Sequence, residues 1–242
     1  AVSAVIGHGI VPAALEMIDA LSIRAVQNVM DAGYPDDAGA VLLIELEGLQ
    51  EEVDEIGAEV EAALWESGPT QVRTAEKAED RDILWVGRKG ALGALGSLAP
   101  NYYLVDGVVP RTQLTQVLRR VAEISQEHGI PIANVFHAGD GNLHPCLLFD
   151  ERKPGAMEAI VACGAEVMKV CVDAGGTLTG EHGVGLEKKE LMPLVYSEED
   201  MEAMRLVREA FAPENRLNPG KIFPDGIHYQ PPARTPEPGL SV

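Results

Sequence analysis

Two glycine-rich stretches hold the residues of this 242-residue sequence whose types and spacing suit chemistry. The first, HAGDGNLHP at 137–145, sets His137 and His144 on either side of Gly139 and Gly141. Glycines permit a sharp turn, so the two imidazoles can converge on one point. The second, GGTLTGEHGVG at 175–185, carries Glu181 and His182 between glycines. Two histidines and one carboxylate are a common ligand set for a catalytic divalent metal that keeps a position open for substrate or water. Taken alone, two histidines at this spacing more often belong to a core or a surface. Against that reading, His137, His144 and His182 all fall in glycine-rich loops, where side chains face solvent or ligand. His8, His128 and His228 have no such context and read as surface residues. Cys146, Cys163 and Cys171 show no CxxC spacing and read as small buried hydrophobes of a reducing compartment.

The elements that must position these loops follow from hydrophobic periodicity. Residues 40–47 read as a strand, 49–66 as an acidic amphipathic helix and 70–74 as a short strand. Residues 78–98 read as a helix loosened by Gly87, Gly90, Gly93 and Gly96. A strand at 101–106 precedes a helix at 111–128 that Gly129 stops. A strand at 131–137 turns through 138–142 into a returning strand at 143–149. Helices are expected at 155–174, 184–192 and 198–212. Residues 226–242, with four prolines and no apolar pattern, read as a flexible tail. Single strands flanked by helices, with one tight hairpin at Gly139–Gly141, indicate an α+β fold. The expected form is a mostly antiparallel sheet, a ferredoxin-like plait with helices on one face and a C-terminal helical segment.

Composition excludes several functions. At 46% hydrophobic residues the chain can bury a sizeable core. Its net charge of −19 argues against nucleic acid and anionic lipid as partners, since both need clustered Lys and Arg. The charge is uneven: residues 1–67 hold 14 acids and a single base, Arg24, whereas 68–242 hold 24 acids against 18 bases. That run reads as a solvated helix face. No apolar run reaches the roughly 18 residues a membrane span needs. LGALGS at 92–97 is a glycine-rich piece of helix pattern and not a GxGxxG dinucleotide fingerprint after a strand.

Three phrases in this order, HAGDGNLHP, GGTLTGEHGVG and LNPGKIFP (217–224), resemble the C-terminal half of FAD-linked 2-hydroxyacid dehydrogenases, the group of glycolate oxidase, D-lactate and D-2-hydroxyglutarate dehydrogenases. The resemblance extends from PAALEMID (12–19) through ILWVGRKG (83–90) to Pro224. It implies that residues 1–225 form the substrate, or cap, domain, and that a flavin-binding domain would precede Ala1. It implies His137, His144 and Glu181 as metal ligands, His182 as the base and Arg88 as a clamp on the substrate carboxylate. Asn218 and Lys221 would lie towards the flavin. The cofactors implied are FAD and a divalent metal, zinc first. The partners implied are a small 2-hydroxyacid, a second flavin-type subunit and an iron–sulfur subunit. The expected location is the cytoplasm, with attachment to the inner face of the membrane only through such partners, and the fragment alone is expected to be inactive.

Physical chemistry agrees with these roles. A divalent ion lowers the pKa of a bound hydroxyl, an imidazole titrates near neutrality, and a guanidinium fork fits a carboxylate. Two departures bear on substrate. Some relatives that use dicarboxylates carry Asn where this chain has Cys146, and a Lys in the strand matching 101–106, where NYYLVD has no base. Both fit a small monocarboxylate, glycolate or D-lactate. Two rivals stand beside this reading: a non-catalytic assembly subunit of a glycolate oxidase complex, and a stand-alone metal hydrolase. The hydrolase lacks a motif to position its nucleophile.

Overall fold

A computed structural model describes residues 1–212, 214 and 216–225. The chain divides into two compact units, the first Ala1–Gly183 and the second beginning at Val184. No helix among the described residues is long and apolar enough to cross a membrane. The proline-rich segment 226–242, expected as a tail, lies outside the described residues.

The first unit runs α1 (Val2–Gly7), β1 (Ala14–Asp19), α2 (Ala20–Gln27), β2 (Ala40–Glu45), α3 (Gln50–Glu66) and α4 (Ala78–Ala94). It continues with β3 (Asn101–Leu104), β4 (Gly107–Val108), α5 (Leu114–His128), β5 (Ile132–His137), β6 (Asn142–Leu143), β7 (Pro145–Phe149) and α6 (Ala156–Asp173). The strands form one antiparallel sheet in the order β2-β1-β5-β6-β4, with β7 continuing β6 along β5 and β3 pairing β7. Asp19 ends β1 and starts α2: its Oδ1 accepts the Ser22 N–H at 2.9 Å, a side-chain N-cap. Its Oδ2 accepts the backbone N–H of Asn134 at 2.9 Å, tying the cap to β5. In α5 the buried residues Leu114, Val117, Val121 and Ile124 recur at helical spacing, and Gly129, at φ 64°, closes the helix.

The antiparallel α+β class stands, but the helices do not all lie on one face. Ile18, Ala133, Val135, Cys146 and Leu148 point to one side and pack with Ile23, Val26, Ala91 and Leu95 of the α2–α4 region. Tyr103 and Leu147, paired across β3 and β7, point to the other side. There α6 approaches so closely that a Cβ at Gly164 would meet the Tyr103 ring at 2.8 Å. The reason is in β5 and β7, whose residues are buried in both alternations. A sheet apolar on both faces needs cover on both.

Four other features differ from the sequence reading. β1 and α2 were not read from the sequence, although β1 sits between β2 and β5. Residues 70–74 form no strand: the segment is mostly exposed, and Arg73 Nη1 donates instead to the Gly33 carbonyl at 2.8 Å. Two of the α4 glycines are seats for neighbours, since a Cβ at Gly87 would run into the Tyr34 ring and one at Gly90 into the Met30 side chain, while Gly93 faces open space. In the second unit, residues 184–192 form no α-helix; a 3-10 turn spans Lys189–Leu194 instead. The second unit then carries α7 (Glu198–Phe211), which Ser197 and Asp200 cap reciprocally.

Candidate metal centre

Register puts the site on one face of the sheet. Glu16 of β1 stands opposite His137 of β5, His137 opposite Asn142 of β6, and Asn142 opposite Val108 of β4. Side chains two residues apart share a face. His144 therefore lies on the same face as His137, and Asp106 on the same face as Val108. The hairpin between β5 and β6 turns at Gly141, at φ 79°, which sits so tightly on the Val109 carbonyl that no side chain fits there. This turn is what brings the two histidines of HAGDGNLHP together.

The second loop comes in over them. Asp106 is completely buried. Its Oδ1 accepts the N–H groups of Gly180 (3.1 Å) and Glu181 (3.3 Å), and its Oδ2 accepts the Thr179 hydroxyl (2.6 Å) and the His182 N–H (3.2 Å). Gly180 fits against Asn142 and Val108, where a Cβ would stand 2.4 Å from Asn142 Oδ1. With the backbone pinned, Glu181 Oε1 lies 3.2 Å from His144 Nε2, 3.4 Å from His182 Nε2 and 3.7 Å from His137 Nε2. The His144 and His182 rings stack with centroids 5.0 Å apart, and the His137 ring meets His144 edge-on at 5.2 Å.

The donor set fits a divalent ion on two observations. One ligand atom from each of His137, His144 and Glu181 lies within 4.8 Å of the other two. His144 Nε2 is buried and makes no hydrogen bond, a cost that coordination removes. Ligands about 2.0–2.2 Å from a tetrahedral zinc stand about 3.4 Å from one another, close to the 3.2 and 3.7 Å separations of Glu181 from the two histidines.

Arg88 reaches the same cluster from α4 through Glu16. Its Nη2 and Nε donate to Glu16 Oε2 at 2.6 and 3.2 Å, while Glu16 Oε1 lies 2.6 Å from His137 Nδ1. One edge of the guanidinium is thus already engaged. An open groove of about 1050 Å³ runs along this side, lined in part by Glu16, His137, Asp140, Arg111 and Thr177. Asn218 and Lys221 lie in the second unit, where Lys221 Nζ donates to Asn218 Oδ1 at 2.9 Å and Arg208 donates to the carbonyls of both.

Sequence reasoning missed Glu16 and Asp106. The signal existed: each is an acid inside or at the end of an apolar strand, ALEMID and NYYLVD, where a charge needs a partner. All three cysteines are buried, as expected. Burial pushes the Cys146 thiol up to about 12 and the Cys163 thiol up to about 11.

The chain is an antiparallel α+β domain that gathers a His–His–carboxylate cluster on one sheet face, beside an arginine and a further histidine. The chain belongs to the family described as FAD linked oxidases, C-terminal domain, whose profile matches residues 1–222. It is 43% identical over 224 residues to the glycolate oxidase subunit GlcD of Escherichia coli (strain K12), covering 93% of this chain and 45% of that one. The Bacillus subtilis (strain 168) glycolate oxidase subunit GlcD is 37% identical, covering 92% and 47%. The mitochondrial D-lactate dehydrogenase [cytochrome] of Arabidopsis thaliana is 27% identical, covering 91% and 39%. The chain thus spans about half the length of the curated relatives it matches or less. Among solved structures, the fold is shared with 4-ethylphenol oxidase from Gulosibacter chungangensis (TM-score 0.64, 13% identity, 89% of this chain and 48% of that one). It is shared equally with p-cresol methylhydroxylase (TM-score 0.65, 13% identity, 86% and 46%).

Proposed function

We propose that residues 1–225 are the substrate half of a flavin-dependent dehydrogenase that oxidises a small D-2-hydroxyacid, glycolate first and D-lactate next. The observation that carries this reading is the convergence of His137, His144 and Glu181 on one point, with His182 and Arg88 in the same cluster. His137, His144 and Glu181 would hold a divalent metal, zinc first, which when bound supplies a Lewis acid for the substrate carboxylate and α-hydroxyl and lowers the pKa of that hydroxyl. FAD, bound mainly by a flavin-binding domain outside residues 1–225, would supply the acceptor for the α-hydrogen.

The chain's own residues do the rest. Arg88 fixes the substrate carboxylate with the part of its guanidinium that Glu16 leaves open. His182 Nε2 takes the hydroxyl proton; its side chain is 45% exposed, so the proton has a way out to solvent. Cys146, buried among apolar residues, offers no group to a second carboxylate, which suits a monocarboxylate. Asn218 and Lys221 would meet the flavin from the second unit. A GlcD-like role implies assembly with a second flavin-type subunit and an iron–sulfur subunit in the cytoplasm.

Calorimetric titration of glycolate into the chain, zinc-loaded and then chelator-stripped, tests this reading. Binding is expected with zinc alone, lost in Arg88→Met and weaker for a 2-hydroxydicarboxylate. Equal binding with and without zinc would contradict it.

A further inference from the structure

Glu16 touches two members of the site and has been given no role so far. It is an acid in the apolar strand ALEMID, with its side chain only 11% exposed. Its Oε1 lies 2.6 Å from His137 Nδ1, and its Oε2 receives Arg88 through Nη2 at 2.6 Å and Nε at 3.2 Å. We propose that Glu16 is a positioning residue that holds His137 in its Nδ1–H tautomer, and that Arg88 enforces this by engaging the other carboxylate oxygen. The inference deepens the metal-site reading above and rests on it.

An ionised carboxylate only accepts hydrogen bonds, so the ring nitrogen facing it carries the proton. In a neutral imidazole the opposite nitrogen then holds a lone pair. For His137 that nitrogen is Nε2, which stands 3.7 Å from Glu181 Oε1, the oxygen that also lies 3.2 Å from His144 Nε2. The lone pair therefore faces the point where the donor atoms converge. A carboxylate behind a ligating histidine fixes its ring and raises its basicity. Arg88 adds a constraint: a guanidinium has donors only, so whichever Glu16 atom faces it must be an acceptor. Arg88 and His137 thus read the same side chain from opposite ends, and the ionised carboxylate satisfies both.

Replacing Glu16 with its amide makes the two demands incompatible. In Glu16→Gln, Arg88 keeps the amide oxygen, because the alternative sets donor against donor. The NH₂ then faces His137 Nδ1, which must become an acceptor, and the proton moves to Nε2, where it blocks the lone pair. Removing the arginine as well, in Glu16→Gln/Arg88→Met, frees the amide to turn its oxygen towards His137 and restores the original tautomer.

The experiment is ¹⁵N NMR of the histidine rings in the metal-free 242-residue chain at about pH 8, where a free imidazole is neutral, with zinc affinity from competition with a chromophoric chelator. The wild type is expected to show His137 as Nδ1–H. Glu16→Gln is expected to show Nε2–H and to bind zinc about 10–100-fold more weakly, the usual cost of losing a partner behind a ligand. The double variant is expected to regain Nδ1–H and most of the affinity. An Nε2–H tautomer in the wild type overturns the proposal whatever the variants do. So does unchanged affinity in Glu16→Gln, or equal loss in both variants with the tautomer unmoved, which is the signature of structural damage. A wild type that binds no zinc fails the metal reading instead, and the tautomers then judge Glu16 alone.

Discussion

Asp106 and His182 are joined through the main chain: Asp106 Oδ2 accepts the His182 N–H at 3.2 Å, and the same carboxylate takes the N–H groups of Gly180 and Glu181 and the hydroxyl of Thr179. One completely buried acid thereby sets the course of the loop that carries both Glu181 and His182. Successive N–H groups wrapped around a carboxylate form charge-assisted bonds, the stronger class. The loop is rigid where its glycines alone would leave it free.

Asp106→Ala should therefore act on stability and on the site together. It removes the acceptor of four donors in a buried place, and chemical denaturation should show a loss of about 3 kcal/mol or more. Zinc affinity should fall with it, because Glu181 loses its fixed approach to His144. A variant as stable as wild type, with unchanged zinc binding, would mean that the loop holds its shape by other contacts.

Glu181 and His182 are neighbours with different expected roles. His182→Asn should keep zinc and substrate binding while kcat of the flavin-containing enzyme falls by roughly 10²–10⁴, the range for a general base. Glu181→Ala should lose zinc, with KM raised and kcat lowered together. Zinc content measured in both variants beside the kinetics separates the roles. Parallel zinc loss in both would make His182 a fourth ligand.

Much of this was legible in the sequence because local rules governed it. The hairpin around Gly139–Gly141 and the helix stopped by Gly129 were read from turn chemistry and composition, whereas the choice of His137, His144 and Glu181 as a ligand set came from the family resemblance. What was not legible depended on pairing at a distance. Glu16 precedes its partners Arg88 and His137 by 72 and 121 residues, so ALEMID can mark an acid in an apolar strand without marking what it pairs with. Asp106 hid in the same way at the end of NYYLVD. The strand expected at 70–74 failed for the converse reason: its alternation had only Val72 to bury and no strand to pair with. The helices on the second sheet face follow from β5 and β7 being apolar in both alternations, a feature visible in IANVFH and PCLLF.

The buried thiols give the fold an alkaline weakness. Burial holds the Cys146 thiol up at about 12, with Asp19 adding to the shift and Arg88 opposing it, against about 8.5 for a cysteine in the unfolded chain. The folded state binds the proton more tightly, so this contribution is complete below about pH 8.5 and is lost as pH rises towards 12. Over that window stability should decline by up to about 1.4 kcal/mol per pH unit per thiol, with Cys163 contributing up to about 11. Denaturation midpoints of wild type and Cys146→Ala between pH 8 and 11 check this; the variant should show the shallower decline. Equal slopes would assign the alkaline loss to other groups.

The central claim is that His137, His144 and Glu181 together hold a divalent metal, and zinc competition against a chromophoric chelator measures it directly. The wild-type chain should bind one equivalent, and His137→Ala, His144→Ala and Glu181→Ala should each weaken binding by more than about 100-fold, beyond what outer-shell changes cost. His8→Ala, at an exposed residue of α1's end, should bind as wild type does. A wild type that takes up no zinc, or single variants that bind it as tightly as the parent, would contradict the account.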